Sequence, residues 1–390
     1  MSKTGDIASK FQHDLMKKLE KPAKKDMDIL RAHAVSLGIK KLEHYDIAFV
    51  GNSLKKKLFD VDPEALRVYF PLDHVMETMF SIYGTLFGLQ FVKKDTKLWH
   101  KDAMLYEVRN LDKSLVGYLS FDLFPRTGKF GHAACFDTVV TREVSWKSDK
   151  YIAPFTSIVC NFSSPTKKNP SLLSHGEIET LFHEFGHSMH MTLSLARHES
   201  QGGANVAWDF VETPSQIMEN WVWNKQALLK LSRHFQTKKP LSKGMNEKMI
   251  TAKMFQNGVM YMRQLIMGKL DMDLHTGDVK DAAKLYRTLT KKYTGITLPE
   301  KDTLFPAGFG HLVGYDAGYY SYLWALVYAC DAFSAFEEKG TKNVLTNKEV
   351  GMRWRKEVLE KGSSEDEMKL ITNFLGRKPN QKAFLKEMGV

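Results

Sequence analysis

The sequence predicts a mainly α-helical protein with a small β-sheet insert. Apolar residues recur at spacings of three and four over the first part of the chain, which is the period of a helix with one buried face. From Ala103 to about Phe162 the pattern changes to alternation broken by Gly and Pro, and the helical period returns after Ser174. We therefore expect three regions, at residues 1–100, 101–162 and 163–390.

The first and third regions are expected to be helical, and the second to form strands. The apolar stripe of Phe11, Leu15 and Leu19 is typical of the first region. In the second, LYEVRN and LVGYLSFDLF flank the turn-like LDKS, and YIAPFTSIVCNF follows PRTGKFGH. This predicts a sheet of two to four strands. Gly and Pro mark breaks between helices of the third region, as at Gly202 and Gly203.

The composition is that of an ordinary globular protein. With 43% hydrophobic and 26% charged residues, the chain lacks the low hydrophobicity of a disordered sequence. Its longest apolar stretch is cut by Ser321 and Asp331 and falls short of the ~20 apolar residues of a membrane span. The first residues have no apolar signal segment, and their early acids argue against a transit peptide. We expect a cytoplasmic location.

Charge and cysteine content exclude two further classes of protein. The net charge is +11, but the lysines occur in short scattered clusters rather than in one basic block, so neither nucleic acid nor membrane is an expected partner. The three cysteines Cys135, Cys160 and Cys330 are widely spaced among apolar neighbours. They fit neither a disulfide framework nor a CxxC metal site, and are expected to be reduced.

The strongest chemical signal is the HEFGH segment of the third region. His183 and His187 are four residues apart, so a helix presents both imidazoles on one face, where they can bind one metal ion. Glu184 lies on an adjacent part of the same turn and can reach a water molecule without being a ligand. This is the HExxH pattern of zinc peptidases.

The residues around this motif predict a helix and a close contact. Ser174 and Glu177 form an S-x-x-E capping box, which predicts that the helix begins at about His175. Gly186 costs a helix ~1 kcal/mol relative to Ala, so its presence indicates a close backbone approach. His190 is three residues beyond the motif and is a less favourable ligand.

A catalytic zinc needs three protein ligands and one open position. The later segment WDFVETPSQIMENW offers Glu212 or, seven residues on, Glu219 as the third ligand. Between His187 and Glu212 lie 24 residues, enough for the first helix to end near Gly202 and for a second segment to return alongside it.

The start of that second segment has two possible geometries. Pro214 either kinks a continuous helix or begins one, with Thr213 as N-cap and Gln216 at the third position. Asp209 and Glu179 are candidates to accept a hydrogen bond from a ligating imidazole.

These groups predict metal-assisted peptide hydrolysis. A bound zinc would lower the pKa of water towards ~7. Glu184 would take the proton as the water attacks a peptide carbonyl, and would return it to the leaving amine. A Tyr hydroxyl or a His is still needed to stabilise the developing oxyanion.

The two segments HEFGHSMH and WDFVETPSQIMENW together resemble those of one zinc oligopeptidase family. It includes thimet oligopeptidase, neurolysin, oligopeptidase A, dipeptidyl carboxypeptidase and mitochondrial intermediate peptidase. The resemblance implies a multi-helix, zincin-like catalytic domain in which His183, His187 and Glu212 bind one Zn²⁺ per chain. It implies that Glu184 is the general base, and it favours Glu212 over Glu219.

A third segment, FGHLVGYDAGYYSYLW, is similar to the glycine-punctuated loop and following helix of the same family. The resemblance implies catalytic roles for His311, Tyr319 and Tyr322, with Tyr322 as the best oxyanion donor. It implies substrate contacts for Tyr315 and Gly314. The HLVGYD stretch is one residue shorter than in many cytosolic members, as in the mitochondrial branch. The end of the chain is more similar to oligopeptidase A and dipeptidyl carboxypeptidase, so the branch stays open, as does endopeptidase against dipeptidyl-carboxypeptidase cleavage.

The resemblance covers nearly the whole chain, but only the C-terminal half or a little more of a typical member. In the family, a long helical N-terminal region forms one wall of a deep channel, and residues 1–100 would be its remnant. Two hypotheses follow. The chain is either an active zinc endopeptidase of short peptides, alone or completed by a partner or a second copy, or a truncated, inert fragment that binds zinc and peptides.

Overall fold

The computed structural model describes residues 1–144, 150–301, 304–337 and 343–390. Within these ranges, no helix is both long and apolar enough to cross a membrane. The chain divides into two compact units. Unit 1 consists of Met1–Asp62, Thr251–Val327 and Gln381–Val390, and unit 2 of Pro63–Ile250 and Tyr328–Asn380.

The described residues form sixteen α-helices and five strands, which confirms the mainly α-helical fold with a small sheet. The strands are β1 (Leu89–Lys94), β2 (Met104–Asn110), β3 (Leu115–Asp122), β4 (Ala134–Val139) and β5 (Phe155–Val159). The helices are α1 (Gly5–Ser36), α2 (Ile47–Phe59), α3 (Pro63–Leu66), α4 (Leu72–Phe87), α5 (His175–Leu193), α6 (Trp208–Val211), α7 (Thr213–Val222), α8 (Lys225–Leu231), α9 (Lys243–Thr251), α10 (Asn257–Thr276), α11 (Ala282–Thr294), α12 (Phe305–Gly308), α13 (Ser321–Glu337), α14 (Lys348–Glu357), α15 (Glu367–Leu375) and α16 (Lys382–Met388).

Unit 1 is built on the long helices α1 and α10. Leu15 and Leu19 of the predicted stripe are buried on α1, as the helical period requires. The two backbones approach closely at Gly258, where a Cβ would lie 2.7 Å from Pro22 C and from Ala23 N. Only glycine therefore fits at this crossing.

Unit 2 contains the sheet, whose strand order is β1-β2-β3-β5-β4. Neighbouring strands are antiparallel except β3 and β5, which are parallel. The described sheet has one strand more than the largest predicted number, because β1 lies in the region expected to be helical. Four of the six residues of β1 are exposed, two of them lysines, and only Leu89 is buried. The sequence of β1 therefore has no clear strand pattern. Pairing with β2 along its whole length gives it its form.

The loop from β3 to the edge strand β4 is held by ion pairs and backbone contacts. Asp122, at the end of β3, accepts hydrogen bonds from Arg126 Nη1 at 2.7 Å and Trp99 Nε1 at 2.8 Å. Burial opposes the charged form of Asp122, but these partners and Lys129 hold its pKa well below the ordinary value. The Lys129 ammonium donates to the backbone oxygens of Asp122 and Cys160. These contacts hold the loop that leads from β3 into β4.

The apolar face of α5 is buried in the core of unit 2. Phe185 contacts the rings of Phe80, Tyr83 and Phe91 at centroid distances of 6.0, 5.3 and 5.7 Å. The aromatic cluster fixes the helix over the sheet. All three cysteines are free, as predicted.

Candidate metal centre

The first helix of the centre, α5, begins where the sequence predicts. The Glu177 N–H donates to Ser174 Oγ at 3.2 Å, and the Ser174 N–H donates to Glu177 Oε2 at 2.7 Å. Arg67 Nη1 donates to the same carboxylate at 2.6 Å. This capping box satisfies two of the backbone N–H groups that a helix start leaves unpaired. The start of α5 at His175 is confirmed.

The two histidines of the motif lie one turn apart on α5, with ring centroids separated by 4.9 Å. His183 Nε2 lies 3.2 Å and His187 Nε2 lies 3.1 Å from the same oxygen, Glu212 Oε2. One atom of each of the three residues falls within 4.8 Å of the other two. The structure thus brings together the three residues that the sequence singled out as metal ligands.

Glu212 reaches the histidines because α5 and α7 are in backbone contact. At Gly186, a Cβ would lie 2.5 Å from Pro214 O and 2.6 Å from Ser215 Cα. The predicted close approach at Gly186 is confirmed. Ser215 Oγ donates to Glu212 Oε2 at 3.0 Å, which fixes the carboxylate orientation.

Two predicted boundaries near Glu212 are wrong. α5 ends at Leu193 rather than near Gly202, because Ser194 adopts an extended ψ of 135°. Thr213 is not the N-cap but the first helical residue, and Glu212 holds the N-cap position. The proline still lies in the first turn of α7, where its missing N–H costs nothing.

Glu219, the alternative ligand, instead contacts the far side of one imidazole. His183 Nδ1 donates to Glu219 Oε1 at 2.6 Å. This hydrogen bond places a proton on Nδ1 and leaves Nε2, which faces Glu212, as the nitrogen that can bind a metal ion. The Glu179 carboxylate accepts a hydrogen bond from Trp223 Nε1 at 2.6 Å, and its contact with a ligating imidazole stays a prediction.

Burial and charge act in opposite directions on this cluster. Burial disfavours the charged form of His183, but its contacts with Glu212 and Glu219 outweigh burial and hold its pKa well above the ordinary value. Burial likewise disfavours the carboxylate of Glu212, yet His187 and His183 hold its pKa well below the usual range. The centre therefore contains a buried anionic oxygen whose partners are two imidazoles.

Glu184 is buried, with 6% of its surface exposed, beside the three candidate ligands. Burial raises its pKa, although the nearby His183 and His187 oppose the shift. In the part of the chain that the structure describes, its carboxylate makes no hydrogen bond, so both oxygens remain available to a water molecule. A desolvated carboxylate of raised pKa is suited to proton transfer.

The donor set fits a zinc ion. Zn–N and Zn–O bonds of about 2.0–2.1 Å place two tetrahedral ligands about 3.3 Å apart. The observed separations of 3.2 and 3.1 Å from the glutamate oxygen to the two imidazole nitrogens are close to this value. Two imidazoles with one carboxylate form a three-ligand set, which leaves one tetrahedral position open.

The remaining candidate residues form a second cluster, within residues 309–322 of unit 1. His311 Nε2 lies 3.1 Å from the Tyr322 hydroxyl. The Tyr315 ring stacks on that of Tyr322 at 5.6 Å, and the Tyr319 ring meets it edge-on at 5.2 Å. Gly314 has a φ of +91°, which side chains other than glycine's rarely permit. The sequence thus identified a set of residues that do contact one another.

The sequence missed two residues that hold this cluster. Asp271 on α10 is fully buried and accepts hydrogen bonds from the N–H groups of Ala317 at 3.0 Å and Tyr319 at 2.9 Å. Gln264 lies two turns before Asp271 on α10, and its Oε1 accepts a hydrogen bond from the Tyr319 hydroxyl at 2.7 Å. A carboxylate in the apolar stretch LIMGKLDMDL was the available signal for Asp271, but nothing in the sequence named its partners.

Comparisons with known proteins give matches that extend over the whole chain. The family description "Peptidase family M3" matches residues 1–390. Oligopeptidase A of Escherichia coli is 37% identical over 389 residues, covering 97% of this chain and 56% of that protein. Saccharolysin of Saccharomyces cerevisiae is 35% identical over 412 residues, covering all of this chain and 57% of that protein.

The fold is also similar to that of solved structures. PZ peptidase A, solved with an inhibitor, superimposes with a TM-score of 0.58 at 17% identity, over 98% of this chain and 57% of that one. At this identity the likeness concerns the fold alone. The chain spans about half the length of the curated relatives it matches.

Proposed function

The chain belongs to peptidase family M3, and from this premise we propose that it is a zinc-dependent metallopeptidase that hydrolyses internal bonds of short peptides. The observation that carries the proposal is the convergence of His183, His187 and Glu212 on one point beside the buried carboxylate of Glu184. Three ligands and an adjacent base are the minimum set for metal-assisted hydrolysis.

In the proposed mechanism, His183, His187 and Glu212 hold the zinc ion. When bound, the ion supplies Lewis-acid chemistry, lowering the pKa of water and polarising the peptide carbonyl. Glu184 accepts the proton of the attacking water and then donates it to the leaving amine. Glu219 holds the His183 ring in the orientation and tautomer that ligation requires.

The phenol of Tyr322 is proposed as the donor to the developing oxyanion. Its hydroxyl is within hydrogen-bond distance of His311 Nε2. This hydrogen bond can be exchanged for one to the substrate when the peptide binds. The Tyr319 hydroxyl donates to Gln264, and burial raises its pKa to about 12. We therefore propose that Tyr319 shapes the surface that binds the substrate rather than stabilising the oxyanion. Tyr315 and Gly314 are proposed to contact the substrate.

The experiment is hydrolysis of an internally quenched peptide of about nine residues by the purified, zinc-loaded chain. Glu184→Gln keeps the shape of the side chain and removes the base, so we expect turnover to fall by a factor of about 10² or more. Zinc content should stay at one ion per chain, since Glu184 is not a ligand. Glu349→Gln, the same change at an exposed position of α14, is the matched control and should retain full activity.

A folded, zinc-containing parent without turnover would contradict the proposal. It would favour the second hypothesis, an inert fragment that binds zinc and peptide, because the chain spans only 56% of its E. coli relative. Titrating in a separately produced N-terminal half of that relative would then show whether a partner restores activity. The cytoplasmic location and the absence of nucleic-acid partners stay predictions.

A further inference from the structure

A charged cavity of about 790 Å³ lies in unit 2, beyond the end of edge strand β4. Its polar lining comes from the last part of β4, from the segment that follows it, and from the loop after α5. The charged members are Asp137, Arg142, Glu143, Arg197 and Glu199. None of them belongs to the metal centre.

The charges of this lining do not cancel. Arg142 Nη1 pairs with Glu199 Oε2 at 2.5 Å, and Arg197 Nε pairs with Glu143 Oε1 at 2.9 Å. The Asp137 carboxylate makes no hydrogen bond or ion pair with any described residue, while its backbone lies in register with Thr156 of β5. Among the described lining residues, three carboxylates against two guanidinium groups leave an excess of one negative charge in this recess, on a chain whose net charge is +11. Such a recess attracts a cation.

Strand β4 connects this recess to the metal centre. Cys135, near its start, has its Sγ 3.8 Å from Met191 Sδ on α5. Burial raises the pKa of the Cys135 thiol, and the nearby Glu184 carboxylate adds to the rise. From Cys135 the strand runs to Asp137 and ends at Val139, and the next residue, Val140, also lines the cavity. One end of β4 is therefore near the proposed general base, and the other opens on the recess.

The outer edge of β4 is available to a peptide. β4 ends the strand order and pairs only with β5 among the described strands. An extended peptide can add to such an edge through backbone hydrogen bonds, and antiparallel pairing is the more stable arrangement. In this direction, residues on the N-terminal side of the cleaved bond would lie opposite Asp137 to Val140.

We propose that this cavity is a binding site for a cationic group of the substrate, N-terminal to the cleaved bond, with Asp137 as its counter-charge. The group is a Lys or Arg side chain or the peptide's own terminal ammonium. The inference rests on the proposed peptidase function and adds a substrate preference to it.

The test is a set of quenched peptides that differ at one position. A single Lys, Ala or Glu is moved through the second to fifth positions before the cleaved bond, which mass spectrometry identifies. Each peptide is made with a free and with an acetylated N-terminus, to separate side chain from ammonium. We expect kcat/KM to favour the cationic peptide over its neutral counterpart by about two- to fivefold at one or two positions, and less at high salt.

Asp137→Asn should reduce this ratio to about one while leaving the neutral, acetylated peptide unaffected. Asp137→Lys should reverse the preference towards Glu. The matched control is Asp95→Asn, an exposed aspartate just after β1 at the opposite edge of the sheet, and it should keep the parental ratio. Both positions are exposed, so neither change should disturb folding.

Equal rates for the three side chains, a preference unchanged in Asp137→Asn, or a preference located after the cleaved bond would each overturn the inference. Failure of the proposed function is a different result, namely no cleavage of any peptide by the parent. In that case fluorescence anisotropy of labelled Lys, Ala and Glu peptides decides the inference. Tighter binding of the Lys peptide that is lost in Asp137→Asn supports it, and equal binding overturns it.

Discussion

The metal centre and the tyrosine cluster are held in different ways. The metal centre is built on two regular helices, α5 and α7, whose backbones touch at Gly186 and whose carboxylates are hydrogen-bonded to their neighbours. The tyrosine cluster lies on residues 309–322, which contain a single turn of 3₁₀-helix and exposed positions such as Val313, at 87% exposure. It is anchored by two side chains of α10, the buried Asp271 and Gln264.

This difference separates two kinds of sequence information. Spacing within one helix dictates which side chains share a face, so the metal-binding geometry of α5 follows from the motif itself. A loop has no period, and its shape depends on partners far away in the chain. Asp271 precedes Ala317 by 46 residues. We therefore expect substitutions of the metal ligands and of their hydrogen-bond partners to alter metal binding, and substitutions in the tyrosine cluster of residues 309–322 to alter turnover alone.

The largest effect is expected from Tyr322→Phe. The change removes the hydroxyl beside His311 and keeps the ring that stacks on Tyr315. Loss of one oxyanion donor should lower kcat by about 10² to 10³ with little change in KM or zinc content. Steady-state kinetics and metal analysis measure these quantities. Tyr45→Phe, at a tyrosine of unit 1 that is 81% exposed, is the control; equal kcat values for the two variants would refute the role of Tyr322.

A second, smaller effect is expected from Glu219→Gln. The change replaces the charged acceptor of the His183 Nδ1–H group by a neutral one. Loss of such support should weaken zinc binding by about 10- to 100-fold, and excess zinc should restore activity. Competition with a chelator measures the affinity.

Glu179→Gln is the matched control for this change. It lies one turn before His183 on the same helix and accepts a hydrogen bond from Trp223, whereas Glu219 accepts one from His183 itself, so the zinc affinity should stay close to that of the parent. A loss in Glu179→Gln as large as that in Glu219→Gln would mean that general negative charge, rather than the contact with His183, governs affinity.

The sequence predicted those parts of the site that depend on local pattern. The capping box and the helical spacing gave the correct start of α5, and the glycine of the motif indicated the helix contact that the structure contains. The sequence offered Glu219 only as an alternative ligand, whereas the structure shows its carboxylate hydrogen-bonded to His183 Nδ1. Glu179 and Glu219 lie on different helices, and which of them faces His183 depends on how α5 and α7 are rotated against each other.

The misassigned fold features have the same physical origin. β1 has no strong pattern of its own and is ordered by β2. α5 ends before Ser194, and the backbone N–H of the next residue, Leu195, donates to Glu360 O at 2.8 Å. This contact joins residues more than 160 positions apart in the sequence. Propensity cannot report such contacts, because they exist only after the chain has packed.

The smallest effect, and the one that tests the helix contact itself, is expected from Gly186→Ala. Alanine favours an isolated helix by ~1 kcal/mol, but a Cβ here would lie 2.5 Å from Pro214 O and 2.6 Å from Ser215 Cα. Relieving this overlap should cost about 1–3 kcal/mol, so the change should lower the melting temperature and draw Glu212 away from the histidines. Gly176→Ala on the same helix, where a Cβ meets nothing within 4 Å, should raise it. Thermal unfolding of the metal-free proteins distinguishes these signs, and an increase in both variants would mean that the two helices are not in backbone contact.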